Sequence, residues 1–452
     1  MRHLYYKIII LILSFIIFVF SYEFSLTDPR SWICFIPLIY GILFYLIAPN
    51  PSNVGVGFIM LNLVLIAKYL LFPFFYVNSN YYSPYDSLIL FETIKISYWY
   101  MMLEMILILV SLRIFYKTDC FNLDINNLGK YSYKLPIFLF FLLIGIFNIS
   151  PSSYSNFSFI LTQEEFIFEK DFLGPTSYIF FIKWSLYIIP LYIFIFFYKK
   201  YLINPRIFYF ILSIFPLVIS TLIYFSNSRL SILIPLLSFW FVLVKFYPKY
   251  SKLISLYFLA YGAFSMLLLS LIKFFSVSNI NSVSFSYDVG SYFLNSYFHG
   301  IPNIALGIQA SNQYYNTIKF SNILDELFAQ VMFINDYFNV DNRTNYYFNK
   351  YIGTNSNIVP TLTEASMLFG KNLFWILTPL FTYLVCQFDR LSFKTSRIDK
   401  TFIFCFFSVS IAFFMLGNLN LISDSFFTYF IPIYLLFIVN RIYISKTKIK
   451  FK

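Results

Sequence analysis

Apolar stretches long enough to cross roughly 30 Å of hydrocarbon recur along the whole chain, separated by short polar breaks. Windows of this kind predict helices near 7–22, 31–48, 54–77, 94–115, 135–150, 176–198, 207–225, 229–247, 253–275, 364–388, 400–418 and 424–441. The alternation fails once, between about 276 and 363, where the chain becomes polar and rich in Asn, Tyr and Ser. A loop of that length is more often functional than connective. Within it, the run from Asp325 to Phe338 places Leu327, Phe328, Val331, Met332 and Phe338 on roughly one helical stripe. That stripe predicts a helix that lies on the membrane surface, caps a cavity or packs on the spans. The expected fold is all-α: a polytopic integral membrane protein with about twelve transmembrane helices, one domain over 1–452, and one long extracytoplasmic loop over 276–363.

Composition excludes a soluble alternative. Only 12% of residues are charged, against about 25% in soluble domains. Phe and Tyr are abundant and Gly is scarce. That bias is what an AT-rich bacterial genome gives, and it lets Phe stand in for Leu at lipid-facing positions. The net charge of +12 would suit nucleic acid if it were clustered, but its distribution follows the membrane instead. With the N-terminus inside, the cytoplasmic segments collect 21 of the 32 basic residues, including Arg390, Lys394, Arg397, Lys400 and the tail from Arg441. The only acids there are Asp119, Asp124, Asp389 and Asp399, whereas the outer side carries Glu164, Glu165, Glu169 and Asp171. By the positive-inside rule both termini are cytoplasmic. No small-residue cleavage site follows the first apolar run, so it is expected to stay as a helix. Cys34, Cys120, Cys386 and Cys405 fall in spans or in a cytoplasmic loop, and no CxxC or Cys/His pair suggests a metal.

Few residues could carry chemistry at the outer face. Arg229 opens the eighth helix in Ser226-Asn-Ser-Arg229-Leu-Ser-Ile-Leu233, where a cation runs against the orientation rule. Its guanidinium either binds a lipid diphosphate bidentately or snorkels to ordinary headgroups. Arg343 and Lys350 sit in a cluster of cations, amides and rings from Asn342 to Gly353, a mixture that suits phosphate and sugar and equally describes a solvated loop. As a base, His299 competes with the flanking carboxylates Asp288 and Glu364. Within the membrane, Lys68 and Glu104 fall near the same depth, about 14 Å from the outer ends of adjacent antiparallel helices. They are expected to form a neutralising ion pair with a structural role.

The arrangement resembles the O-antigen polymerase (Wzy) family, related to the O-antigen ligases. The resemblance rests on the many spans, the Arg229-x-x-x-Leu233 element and the long outer loop before the last three spans. It also rests on Asn355-Ser-Asn-Ile-Val-Pro-Thr-Leu-Thr-Glu-Ala-Ser-Met-Leu-Phe-Gly370, similar to the stretch by which these enzymes leave the loop, with a Phe-Gly pair inside the next helix. Arg343 to Gly353 encloses one residue fewer than the Arg-to-Gly spacing of some polymerases, so Arg343 matches less well than Arg229. The resemblance implies a metal-independent, cofactor-free glycosyltransferase in the bacterial inner membrane. It would transfer a chain from polyprenyl (undecaprenyl) diphosphate onto another lipid-linked repeat unit at the periplasmic face. Arg229, Arg343 and Lys350 would then bind diphosphate, and His299 or Glu364 would serve as base. The implied partners are membrane lipid, a chain-length regulator and a flippase. The alternatives are a flippase for the same lipid-linked unit, and the ligase.

Overall fold

The computed structural model describes residues 2–22, 29–49, 54–79, 88–116, 131–151, 157–159, 176–225, 230–277, 287–328, 331, 337–354 and 357–449. Arg229 lies outside these residues, as do Cys120 and the acids expected outside between Glu164 and Asp171. The single domain expected over 1–452 is organised as two compact units, each assembled from discontinuous stretches.

The first unit opens with α1 (Arg2–Ser21), α2 (Phe35–Ile47), α3 (Val56–Ile66), α4 (Phe72–Val77) and α5 (Phe91–Phe115). The second begins with α6 (Lys134–Ile149), α7 (Thr176–Ile203), α8 (Ile207–Leu222), α9 (Leu230–Phe246) and α10 (Ser251–Val277). The chain then returns to the first unit through α11 (Tyr287–Phe298), α12 (Ile301–Tyr314), α13 (Asn322–Phe328), α14 (Thr344–Ile352) and α15 (Thr361–Phe369). It ends with α16 (Leu377–Lys394), α17 (Ile398–Ala412), α18 (Leu419–Asp424) and α19 (Ile431–Ile449).

Among the described residues the fold is all-helical apart from one short antiparallel pair, Phe157–Phe159 with Ile223–Phe225. The expected helix over 207–225 therefore stops at Leu222, where an Ile-Tyr-Phe run with strong β preference joins a partner strand. Among the described residues, five helical stretches are long and apolar enough to cross a membrane. A sixth arises if α9 and the start of α10 count as one span, bent by 113° at Pro248. Proline fixes its own φ and restricts the residue before it, which explains the break.

Two expectations about helix extent are corrected. The span predicted over 364–388 is interrupted: α15 ends at Gly370, whose φ of 87° no helix accommodates, and α16 starts only at Leu377. The Phe369-Gly370 pair thus terminates a helix rather than lying inside one. Of the amphipathic helix expected from Asp325 to Phe338, the described part is α13 to Phe328, residues 329, 330 and 332–336 lie outside the described residues, and Tyr337 and Phe338 precede a separate 3-10 turn at Val340–Asn342. The Phe328 and Phe338 rings still meet, 5.3 Å apart.

The stretch 276–363 is helical over much of its described length, and α12 is buried from Ile301 to Ser311 except at the half-buried Asn303. In the first unit α12 packs on α5, α14 and α15 while α11 packs on α4, so this stretch contributes core.

The ion pair expected inside the membrane is present. Lys68 Nζ lies 2.6 Å from Glu104 Oε2, and both side chains are almost fully buried. Tyr69 donates to the same oxygen at 2.6 Å. The two donors are consecutive in sequence because residues Ala67–Leu71 form a π-helical turn, closed by Phe72 N donating to Ala67 O. Such bulges re-aim neighbouring side chains at the expense of ideal ladder geometry.

In the second unit, Lys245 closes the carboxyl end of α16. Its ammonium donates to Ser392 O and Thr395 O at 2.6 Å each, to Phe393 O at 3.3 Å and to Thr401 Oγ1 at 3.1 Å. The last carbonyls of a helix lack intrahelical donors and carry partial negative charge, so a buried cation is well matched there.

Candidate functional site

The polar centre of the first unit forms where α13, α14 and α15 converge. The first amides of any helix have no partner within it, and Arg343, which precedes α14, supplies no side-chain cap. Glu326 of α13 does so instead. Its Oε1 accepts from the Thr344 amide and, at 2.6 Å, from the Thr344 hydroxyl. The same hydroxyl oxygen lies 3.5 Å from Glu364 Oε1 on α15, and Glu364 Oε2 accepts from Leu419 N at 2.7 Å. Asp325 braces the outside of this arrangement, accepting from Asn339 N at 2.9 Å and from Asn342 Nδ2 at 3.3 Å.

Glu326 and Glu364 are both fully buried. At nine residues, α15 is about 14 Å long, too short to cross a bilayer, so Glu364 is not within a membrane span. Burial raises Glu364 well above the ordinary carboxyl range, and the charge of Glu326 raises it further. Burial also raises Glu326, opposed by the Thr344 hydrogen bonds and the Arg343 charge. The single hydroxyl proton of Thr344 is engaged with Glu326. The contact to Glu364 is therefore satisfied when Glu364 carries a proton and donates it. Neighbouring buried carboxyl groups disfavour joint ionisation, which raises the affinity of the pair for a proton.

His299 follows α11 with a φ of 49°, unusual for a residue with a side chain. It is 2% exposed, and neither ring nitrogen completes a hydrogen bond, although the Leu416 backbone is close enough to favour protonation. Burial and the nearby Lys68 charge push its pKa down to about 3, so the ring is neutral at physiological pH. Asp288 lies in the first turn of α11. His299 and Glu364 thus flank one short segment, Leu416–Leu419, and both are covered by protein in this conformation.

Arg343 holds the N-cap position of α14 and Lys350 lies on its last turn. Together with Tyr346 they occupy positions i, i+3 and i+7, one helical face. Arg343 is half-buried, Tyr346 is 41% exposed and Lys350 is exposed. The cations are about 10 Å apart along the axis. The amides of the same cluster face inward and hold the chain itself. Asn345 Oδ1 accepts from Val359 N at 2.9 Å. Asn349 donates to Asn345 O and Asn357 O at 2.8 Å each, and accepts from Thr354 Oγ1 at 2.9 Å and Asn357 N at 3.0 Å. Asn349→Ala should therefore lower the unfolding free energy by about 2 kcal/mol. Thermal unfolding of the purified protein in detergent checks this, and an unchanged midpoint would contradict it.

Sequence reasoning passed over Glu326 and Thr344. The N-cap position of α14 is held by Arg343, which offers no side-chain acceptor, and nothing in the sequence says which distant carboxylate meets the open amides. Comparison of the chain with protein-family models, with characterised proteins and with solved structures finds no match.

Proposed function

We propose that the chain is an O-antigen polymerase of the inner membrane, with about twelve spans and the 276–363 stretch at the periplasmic face. The observation that carries the reading is the Arg343–Tyr346–Lys350 face, directly continuous through Thr344 with the paired carboxyls Glu326 and Glu364. Two cations flanking a ring fit a sugar diphosphate: guanidinium and ammonium take phosphate oxygens, and the ring stacks on a sugar face. Arg229, outside the described residues, keeps its diphosphate-binding role on the Arg-x-x-x-Leu resemblance alone. In the reaction the acceptor hydroxyl oxygen bonds to the anomeric carbon of the donor sugar. The bond from that carbon to the diphosphate oxygen breaks, and the polyprenyl diphosphate leaves with the electron pair. Fixed cations stabilise the charge that develops on it.

The acceptor proton passes to the carboxyl pair, whose unprotonated member is a base of raised affinity. The rival readings have less support. The membrane-embedded cation a flippase would use is neutralised by Glu104, and the sequence setting of His299 does not match the ligase pattern.

Gene deletion followed by lipopolysaccharide gels tests the reading. A polymerase mutant leaves core capped by one repeat unit, a ligase mutant leaves bare core, and a flippase mutant accumulates repeat units facing the cytoplasm. A full ladder from the deletion strain would end the proposal. In complementation, Arg229→Ala and Glu364→Gln are expected to abolish the ladder while the protein still inserts.

A further inference from the structure

The second unit contains a cleft of about 500 Å³ that plays no part in the chemistry above. One wall is α19, which contributes Tyr434, Phe437, Ile438, Arg441 and Ile442. These positions follow the i, i+3, i+4, i+7, i+8 spacing of a single helical face, apolar along most of its length and cationic near its end. The facing wall is the start of α17, with Arg397, Asp399 and Lys400.

The charges do not cancel. Arg397 is taken up by Asp399 in a bidentate pair, with Nε to Oδ1 at 3.0 Å and Nη2 to Oδ2 at 2.6 Å. Its guanidinium is also stacked over the Tyr131 ring, 5.0 Å from the centroid. That pair is neutral and held in place. Lys400 and Arg441 have no acidic partner among the described residues. Two uncompensated cations therefore face a cleft whose α19 wall is otherwise apolar or aromatic. They lie at the end of the chain's spans where positive charge accumulates.

We infer that this cleft binds the phosphate of an anionic phospholipid. Its headgroup sits between Lys400 and Arg441, and an acyl chain runs along Tyr434, Phe437 and Ile438. A free phosphate would satisfy the cations but leave the apolar face unused, and a zwitterionic lipid would bring its own cation into the cleft. Basic pockets between helices at the cytoplasmic boundary have this headgroup chemistry. The inference is independent of the proposed enzymatic activity.

The test uses the full-length protein in nanodiscs of phosphatidylcholine, titrated with phosphatidylglycerol and read by native mass spectrometry. Each cation near an anionic headgroup is worth about fivefold in affinity. The Lys400→Gln/Arg441→Gln double variant should therefore bind phosphatidylglycerol roughly 30-fold more weakly. The charge-matched Lys200→Gln/Lys249→Gln variant, altered at exposed positions outside the cleft, should bind as wild type does. If the double variant fails to fold, Arg441→Gln alone should lose about fivefold. Undiminished binding by the cleft variants, or an equal loss by the control, would overturn the inference. So would inorganic phosphate displacing the lipid at an equal phosphate concentration.

Discussion

Glu104→Leu is expected to destabilise the folded protein by about 3–5 kcal/mol, the cost of stranding one member of a buried ion pair. Lys68 is 1% exposed and its ammonium sits 2.6 Å from the lost carboxylate. Lys68→Met should cost a similar amount by stranding the carboxylate instead. The double variant should recover most of the loss, since an apolar pair of similar volume removes both desolvation penalties. It still leaves the Tyr69 hydroxyl without the oxygen it donates to, a residual cost of about 1–3 kcal/mol. Adding Tyr69→Phe should remove that residue of instability. Unfolding in detergent, followed by tryptophan fluorescence, measures each step. Single variants as stable as wild type would refute the structural role, and a stable triple variant without a polysaccharide ladder would assign the pair to function.

Asp389→Ala is expected to cost about 3 kcal/mol. Asp389 is 1% exposed and accepts from Gly57 N at 3.0 Å, Phe58 N at 2.8 Å and Ser408 Oγ at 2.7 Å. Hydrogen bonds to a charged group contribute about 1.5–3 kcal/mol each, and those amides are the free first donors of α3. The acceptor reaches them only because Gly55 and Gly57 lack side chains. A Cβ at Gly55 would overlap the Asp389 carboxylate, and one at Gly57 would overlap the Ser408 hydroxyl. Gly57→Ala should accordingly reproduce the loss by pushing the acceptor away. Asp389→Asn should retain part of the stability, because its amide oxygen still accepts. A wild-type melting temperature for Asp389→Ala would show that the amides find other acceptors.

The apolar runs made the helices legible, since continuous hydrophobicity needs no knowledge of neighbours. Lys68 and Glu104 were also legible, because depth along two adjacent antiparallel helices brings them side by side. The break at Gly370 was not. A hydropathy window averages across a residue whose φ of 87° interrupts the helix. Asp389 counts in the sequence only as one of the few acids of the cytoplasmic segments, because its partners in α3 lie far away in the chain. The helices within 276–363 were hidden for a different reason. Buried at every position from Ile301 to Ser311 but Asn303, α12 has no exposed polar face to mark a period. At the candidate site, His299 and Glu364 could be named from residue type, but their burial and the contribution of Glu326 depend on packing.

The cap on α3 also has a temporal side. Gly57 and its acceptor are 332 residues apart, and ribosomes add roughly 5–20 residues per second. Some 20–60 s of translation therefore separate the appearance of the bare amides from the arrival of the carboxylate. Until then the start of α3 must borrow acceptors from lipid headgroups or water. Nascent chains released before α16 emerges would lack this latch, which makes them natural targets for membrane quality-control proteases.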